Sequence, residues 1–435
     1  MNKNSFAVNP PMGWNSWDCY GASVTEADLI RNAEYIAENL KPYGWEYVVC
    51  DIQWSEPTAD STAYHPFAEL CMDEYGRLLP APNRFPSAAN GAGFKPIADR
   101  IHALGLKFGI HLMRGIPRQA VSRNVPIKNT NVHARDIAHT ASTSAWQTDM
   151  YGLNPAAVGA QAYYDSLFEL YAEWGVDFVK VDDLGVVYRV INKDYDFSGK
   201  EEIEMYARAI QHCGREIVLS LSPGPAIVEQ AAHYRKYANM WRITNDLWDR
   251  WDDIVEMFDR CRNWSPYVSE GCFPDCDMLP LGHISIRGCE HGQFDRMSLL
   301  THPEQRTMMT LWSIFRSPMM LGCELSDLDD WTKSLITNAE VLNLLKDSRN
   351  AREIMNVCDT IVWQAEDDAG NTYAAVFNTG STPVTREITL DKLELYGSYS
   401  LRNLWAQEDE GIVTNSVICS LDVHDAVLYK LTPVK

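Results

Sequence analysis

The chain has 435 residues, 46% of them hydrophobic and 22% charged, which is too long for one compact core and suits a large domain with a smaller one. Its formal net charge of −21 argues against nucleic acid and anionic membrane as partners, because both need basic surface; a neutral, polar small molecule fits better. No run of about eighteen apolar residues occurs, and the opening MNKNSFAVNPPMGW has no apolar signal core, so the expected location is cytoplasmic.

Eleven cysteines, an odd number spread along the chain, do not read as a disulfide framework. Cys272 and Cys276, with Cys261 and Cys289 at a distance, do not match a zinc ribbon either, and buried thiols are the expected state. Fourteen tryptophans supply aromatic faces of the kind sugars stack on, although cores use tryptophan too.

Taken in order, the chain repeats one pattern: an amphipathic helix, a glycine, then an apolar strand. The first helix should open at Thr25, an N-cap with Asp28 three residues on, and carry Leu29, Ala33, Ile36 and Leu40 on one face. Gly44 closes it and WEYVVCD follows. A second helix bears Ile97, Ile101 and Leu104, ends at Gly105 and leads into LKFGIH. A third is expected to open at Asn154-Pro155 and run through Leu167, Leu170 and Trp174 to Gly175, with VDFVKVDD after it. A fourth ends at Gly214 before REIVLSLS. Glycine suits the left-handed helix cap, and unbroken apolar runs mark strands buried on both faces of a parallel sheet.

Further strands are expected in MGWNSW near residue 12, NMWRITND near 240, a segment toward DCDMLPLG near 277, and SPMMLG near 318. That makes eight. A (β/α)8 TIM barrel over residues 1–347 is the economical α/β architecture. A Rossmann-like sheet is the alternative, weakened because no GxGxxG follows the first strand. From residue 348 to 435 the pattern changes to short strands (TIVWQAE, TYAAVFNTG, TREITL, YSLRNLW, AVLYKL) between turn residues, which predicts a small antiparallel β-sandwich domain. Residues 114–154 lack apolar periodicity and read as a long active-site loop.

Barrel chemistry collects where strands end. The strand ends here offer Trp17, Asp51, His111, Lys180, Asp182, Asp183, Ser222, Arg242, Asp246 and Asp277. Any one of these aspartates could simply cap the next helix, but capping does not account for the whole set. Paired carboxylates suit glycoside hydrolysis: one attacks the sugar or activates water, and the other protonates the leaving group. Lys180 and Asp182 are two apart on a strand and share a face, whereas Asp183 points away, so Asp182 is the expected nucleophile. Arg242 is assigned to a sugar hydroxyl and Asp246 to the leaving oxygen. Asp249, Asp252 and Asp253 read as the exposed start of a helix. No cofactor and no metal are expected.

PMGWNSWDCYG, DFVKVDD, WRITND and DCDML together resemble glycoside hydrolase family 27, the family of α-galactosidases and α-N-acetylgalactosaminidases, over nearly the whole chain. The resemblance implies a retaining mechanism with Asp182 as nucleophile and Asp246 as acid/base. It implies sugar contacts at Trp17, Asp51, Lys180, Arg242 and Asp277. The chain departs from the family in four places. Ile52 follows Asp51 where relatives have a second aspartate, and His111 replaces a tyrosine. Leu184 lies where a cysteine commonly follows the nucleophile strand. Ser222 stands where galactosidases often carry glutamate, which keeps N-acetylgalactosamine open as a substrate.

Relatives use the paired aspartates on the 4- and 6-hydroxyls of galactose, but Ile52 offers no acceptor. A sugar with galactose's ring stereochemistry and no C6 hydroxymethyl, β-L-arabinopyranose, is therefore the expected favoured substrate. An ordinary α-galactosidase or α-N-acetylgalactosaminidase is the alternative. Other readings are a non-catalytic sugar-binding protein and a metal-dependent hydrolase, the latter disfavoured by the missing histidine pairs. The natural aglycone and the subunit number, monomer or homo-oligomer, stay open.

Overall fold

The computed structural model describes residues 1–60, 63–184, 199–288 and 293–434. Eight short parallel strands form the central sheet: β1 (Met12–Asn15), β2 (Tyr47–Cys50), β3 (Lys107–Met113), β4 (Phe178–Asp182), β5 (Val218–Leu221), β6 (Met240–Arg242), β7 (Phe273–Asp275) and β8 (Met319–Leu321). Their order is β7-β6-β5-β4-β3-β2-β1-β8. The ends meet just beyond β7, where Leu279 bridges Leu321 in parallel and Leu279 N donates to Met320 O at 2.8 Å. The sheet therefore closes into a barrel, as eight apolar strand candidates, four of them led in by a helix and a glycine, predict. β1, β2, β5, β6 and β8 are buried at every residue, as the unbroken apolar runs require.

The helix starting at Glu26 has the expected reciprocal cap. Asp28 N donates to Thr25 Oγ1, and the Asp28 carboxylate accepts from Thr25 N at 3.0 Å. It is regular only to Tyr35 and then continues as a wider turn over Ile36–Leu40 and a tighter one over Lys41–Tyr43 before Gly44. The third helix starts later than expected, at Ala160. Asn154 Oδ1 accepts from Ala156 N at 3.1 Å, and this local turn consumes the capping side chain before a helix can begin. Gly175, at φ +84°, ends it as predicted.

Residues 114–154 are not a featureless loop. Short antiparallel strands Ile116–Pro117, Ala138–Thr143 and Met150–Leu153 pair with one another, beside helices Arg118–Arg123 and Ala134–Ile137. This excursion rises from the end of β3 and brings Trp146 to the mouth of the barrel.

The C-terminal unit is an antiparallel sandwich of β9 (Ser348–Val357), β10 (Thr360–Asp367), β11 (Thr372–Asn378), β12 (Val384–Thr389), β13 (Tyr399–Asn403), β14 (Glu408–Val413), β15 (Ser416–Leu421) and β16 (Ala426–Pro433). One sheet runs β9-β10-β11-β16-β13-β14, and β12 pairs with β15 in the other. Val362, Val376, Ile388, Leu401, Val417 and Leu431 fill the space between them. The opposite face of the larger sheet sends Trp363, Phe377 and Leu428 into the barrel's own core, with Phe377 edge-on to Phe258. Three of the eight strands, β9, β14 and β15, were not expected from the sequence. Among the described residues no helix is long and apolar enough to cross a membrane.

Candidate active site

Strand register explains which side chains meet. His111 on β3 lies beside Lys180 on β4, and Lys180 beside Ser220 on β5, so these residues share one layer of the barrel interior. One pleat further on come Asp182, Arg242 and Asp275, with Arg242 paired in register to Asp275. Above this layer opens a cavity of about 360 Å³. Its lining includes Trp17, Asp51, Ile52, Lys180, Asp182, Arg242, Asp246 and Asp277, eight of the ten residues assigned to the site from sequence.

The other two, His111 and Ser222, are absent from that lining and bind the Asp182 carboxylate. Ser222 Oγ donates to Asp182 Oδ1 at 3.0 Å, and His111 Nε2 lies 3.1 Å from Oδ2. His111 holds this aspartate from the layer below, and Ser222 from just past β5, level with Asp182 itself. Burial alone would push the Asp182 carboxyl up. The His111 contact and the charges of Lys180 and Arg242 outweigh it, leaving the carboxyl well below the usual carboxylate range.

Asp183 takes the opposite direction, as the strand alternation requires. It stands at φ +65°, is buried, and its Oδ2 lies 2.9 Å from Arg114 Nη2. Burial, reinforced by the Asp182 charge, pushes it up to about 6 despite Arg114.

Asp51 is anchored on three sides: Lys180 Nζ donates to its Oδ2 at 2.9 Å, Asn15 Nδ2 to the same oxygen at 2.7 Å, and Ile52 N to Oδ1 at 2.8 Å. Burial favours the neutral acid, but Lys180 and His111 prevail and Asp51 sits below its ordinary value. β2 stops at Cys50, and the chain turns through Gln53, whose φ of +63° lets both Asp51 and Ile52 line the cavity. Ile52 packs with Met113 and Met150, against Trp17, Tyr64 and Trp146. Gln53 points elsewhere, donating to Asp149 Oδ2 at 3.1 Å.

On the other side Arg242 joins two carboxylates, donating to Asp277 Oδ2 at 3.1 Å and Asp246 Oδ1 at 2.5 Å. Asp277, at φ +80°, also accepts from Leu247 N and Met278 N, so its position is fixed. The Asp246 side chain is 72% exposed at the cavity rim. Asp249 is not an exposed helix start as expected. It is buried, ion-paired with Arg296 and bonded by Leu299 N at 2.7 Å, because the helix begins later, at Trp251.

The sequence reading missed Asp18, Tyr64, Trp146, Asn245 and Trp248, all of which line the cavity. Asp18 adjoins Trp17 and could have been found from that. Tyr64 and Trp146 lie in stretches without periodicity and carried no signal beyond being aromatic. Tyr64 stacks on Trp17 with centroids 6.2 Å apart and leans on Trp146 at 5.5 Å. The described cysteines are all free. Cys261 and Cys276 approach to 3.5 Å between sulfurs, and Cys289 lies outside the described residues.

A (β/α)8 barrel whose strand ends hold an ionised aspartate at the floor of a cavity and a second carboxylate at its rim has the makings of a glycoside hydrolase. The α-galactosidase A family model matches residues 148–347, and the α-galactosidase C-terminal β-sandwich model matches residues 358–431. The GH27 β-L-arabinopyranosidase of Geobacillus stearothermophilus is 55% identical over 100% of this chain and 98% of that chain, with a TM-score of 0.97. A form of that enzyme solved with arabinose matches with the same identity and TM-score. The α-galactosidase of Coffea arabica is 26% identical over 99% of this chain and 95% of its own length. The chain belongs to glycoside hydrolase family 27, and it is a glycosidase.

Proposed function

We propose that the protein is a retaining exo-glycosidase that prefers terminal β-L-arabinopyranosides, with Asp182 as nucleophile and Asp246 as acid/base. We take the chain to divide at residues 347 and 348 into the catalytic barrel and the C-terminal domain. In the first step an Asp182 oxygen bonds to the anomeric carbon, the glycosidic C–O bond breaks, and Asp246 gives its proton to the departing oxygen. In the second, water attacks the same carbon, Asp246 takes the water proton, and the Asp182 ester bond breaks. His111 and Ser222 support the first role by holding the nucleophile ionised and aimed upward.

The substrate preference rests on Ile52. It lines the cavity beside Asp51 within an apolar cluster, and Gln53, the neighbour that could have replaced the missing acceptor, is engaged with Asp149. A C6 hydroxyl brought against that wall would lose its water partners without a replacement, which costs about 1–3 kcal/mol, roughly ten- to hundredfold in transition-state binding. An arabinopyranoside has no such group. The likeness to a β-L-arabinopyranosidase supports the same reading. Ser222, bonded to Asp182 and absent from the cavity wall, gives no support to an acetamido-accepting pocket.

Two measurements test this reading. The kcat/KM for 4-nitrophenyl β-L-arabinopyranoside should exceed that for the α-D-galactoside, and NMR should show product formed first with the substrate's anomeric configuration. A tenfold preference for the galactoside would return the protein to the plain α-galactosidases, and an inverted first product would remove the retaining mechanism.

A further inference from the structure

Asp18 is a carboxyl in the cavity wall that the mechanism above does not use. It follows Trp17 in the single helical turn Trp17–Tyr20 that caps the end of β1, and it is 4% exposed. Its Oδ2 is fully shielded and has no hydrogen-bond partner, although the residue lines the same cavity as Asp51, Lys180 and Asp277. The barrel makes room for it: a Cβ at position 322, just past β8, would lie 2.2 Å from that oxygen, so Gly322 leaves the space the carboxyl fills. A buried polar group without a partner is costly and is not retained by packing alone.

We propose that Asp18 is a further sugar-contacting residue, its carboxyl hydrogen-bonding one ring hydroxyl of the bound glycoside. The inference rests on the reading that a sugar occupies this cavity. The groups facing Asp18 are Asp277 beyond β7, Lys180 on β4, Asp249 beyond β6, Asp51 beyond β2 and Cys323 beyond β8. Burial first, and then the Asp277 charge, push the Asp18 carboxyl well above the usual carboxylate range against the pull of Lys180. A carboxyl held up in this way keeps its proton to higher pH than Asp182 does. Its proton is a donor in a wall where Asp51 and Asp277 only accept, so a hydroxyl between them can accept from one side while donating to the other.

The experiment compares kcat/KM of wild type, Asp18→Asn and Asp18→Ala on a 4-nitrophenyl β-L-arabinopyranoside and on its 2-, 3- and 4-deoxy analogues. Asp18→Ala should lose at least about tenfold on the parent, and less than about threefold on the one analogue that lacks the contacted hydroxyl. Asp18→Asn keeps a donor and should lose clearly less than Asp18→Ala on the parent substrate. An equal loss on all four substrates, or none, would overturn the contact, since a purely structural role would not discriminate among hydroxyls. Should Asp18→Ala fail to fold, a crystal structure of the wild-type protein with arabinose decides: a ring hydroxyl within about 3.2 Å of an Asp18 oxygen supports the proposal, and a wider gap refutes it. If wild type does not hydrolyse the arabinoside, the substrate preference is what has failed, and the same comparison is made on α-D-galactosides.

Discussion

Lys180 Nζ donates to Asp51 Oδ2 at 2.9 Å, not to Asp182, the carboxylate two residues further along its own strand. The lysine therefore ties the β4 layer to the end of β2 and acts on Asp182 only as a nearby charge. The direct hold on Asp182 comes from His111 and Ser222, one on each carboxylate oxygen. Removing the nucleophile and loosening it should therefore look different.

Asp182→Ala should lose nearly all turnover and stay folded, since nothing else in the cavity can form the ester. Azide should restore turnover by attacking the anomeric carbon from the vacated side, giving a glycosyl azide of inverted configuration. Full activity in Asp182→Ala, with loss in Asp183→Ala, would reverse the assignment. Asp183 is committed to Arg114 and faces away from the cavity lining.

Ser222→Ala should shift the acid limb of the kcat/KM profile to higher pH. The Ser222 hydroxyl favours the ionised form of Asp182, so its loss raises that carboxyl from a value now well below the ordinary range. A hydrogen bond to a charged acceptor is worth about 1.5–3 kcal/mol, which corresponds to one pH unit or somewhat more. A limb that stays in place, or moves to lower pH, would contradict the contact.

A stability measurement probes the floor of the site separately. Burial and the Asp277 charge push the Asp275 carboxyl up to about 7, so the folded protein binds this proton more tightly than the unfolded chain. The resulting stabilisation is present at acid pH and is lost as pH rises from the ordinary carboxylate range through about 7. Asp182 and Asp51, held low, act only below that window. The fall in melting temperature between pH 5 and 8 should therefore be smaller in Asp275→Asn than in wild type. A residual slope from Asp183, pushed up to about 6, should remain. Equal slopes in the two proteins would rule out this origin.

Asp246→Ala should slow glycosides with poor leaving groups far more than activated aryl glycosides, because only the former need the proton. This carboxylate stands exposed at the cavity rim, where the proposed role requires the leaving group to pass. Equal loss on both kinds of substrate would move the role away from Asp246. Asp249 could not take it up, since its carboxylate is spent on Arg296 and Leu299.

The barrel was legible because its strands are apolar and the chain passes through a glycine at positive φ ahead of β2, β3, β4 and β5. Two of the strands missed in the C-terminal domain fail that rule: β14 is almost wholly exposed, and β9 is broken by two register shifts, so neither shows a clean alternation, whereas β15 does alternate and was readable from its pattern. Strand-end residues gave most of the cavity, because a strand of known direction fixes where its last side chain lies. What they could not give was depth. Ser222 and His111 end up on the Asp182 carboxylate and outside the cavity lining: register sets His111 one layer below Asp182, beside Lys180, while Ser222, two residues past Ser220, is level with Asp182, and register is set by neighbouring strands that one strand's sequence does not describe. Tyr64 and Trp146 arrive on irregular excursions, whose paths depend on tertiary contacts.

The Asp51–Ile52 step makes the last prediction. Both side chains face the cavity, one carrying the acceptor that Lys180 and Asn15 hold in place and the other closing the wall with methyl groups against Trp17, Tyr64 and Trp146. Ile52→Asp should raise kcat/KM for α-D-galactosides about tenfold or more by giving the C6 hydroxyl an acceptor, the reverse of the 1–3 kcal/mol penalty for leaving it unpaired. It should lower the rate on β-L-arabinopyranosides, which would then leave the new carboxylate buried against an apolar cluster without a partner. The two effects together should invert the order of preference. If Ile52→Asp folds and still favours the arabinopyranoside by the wild-type ratio, the wall that excludes C6 lies elsewhere, with the Tyr64–Trp146 contact the next surface to alter.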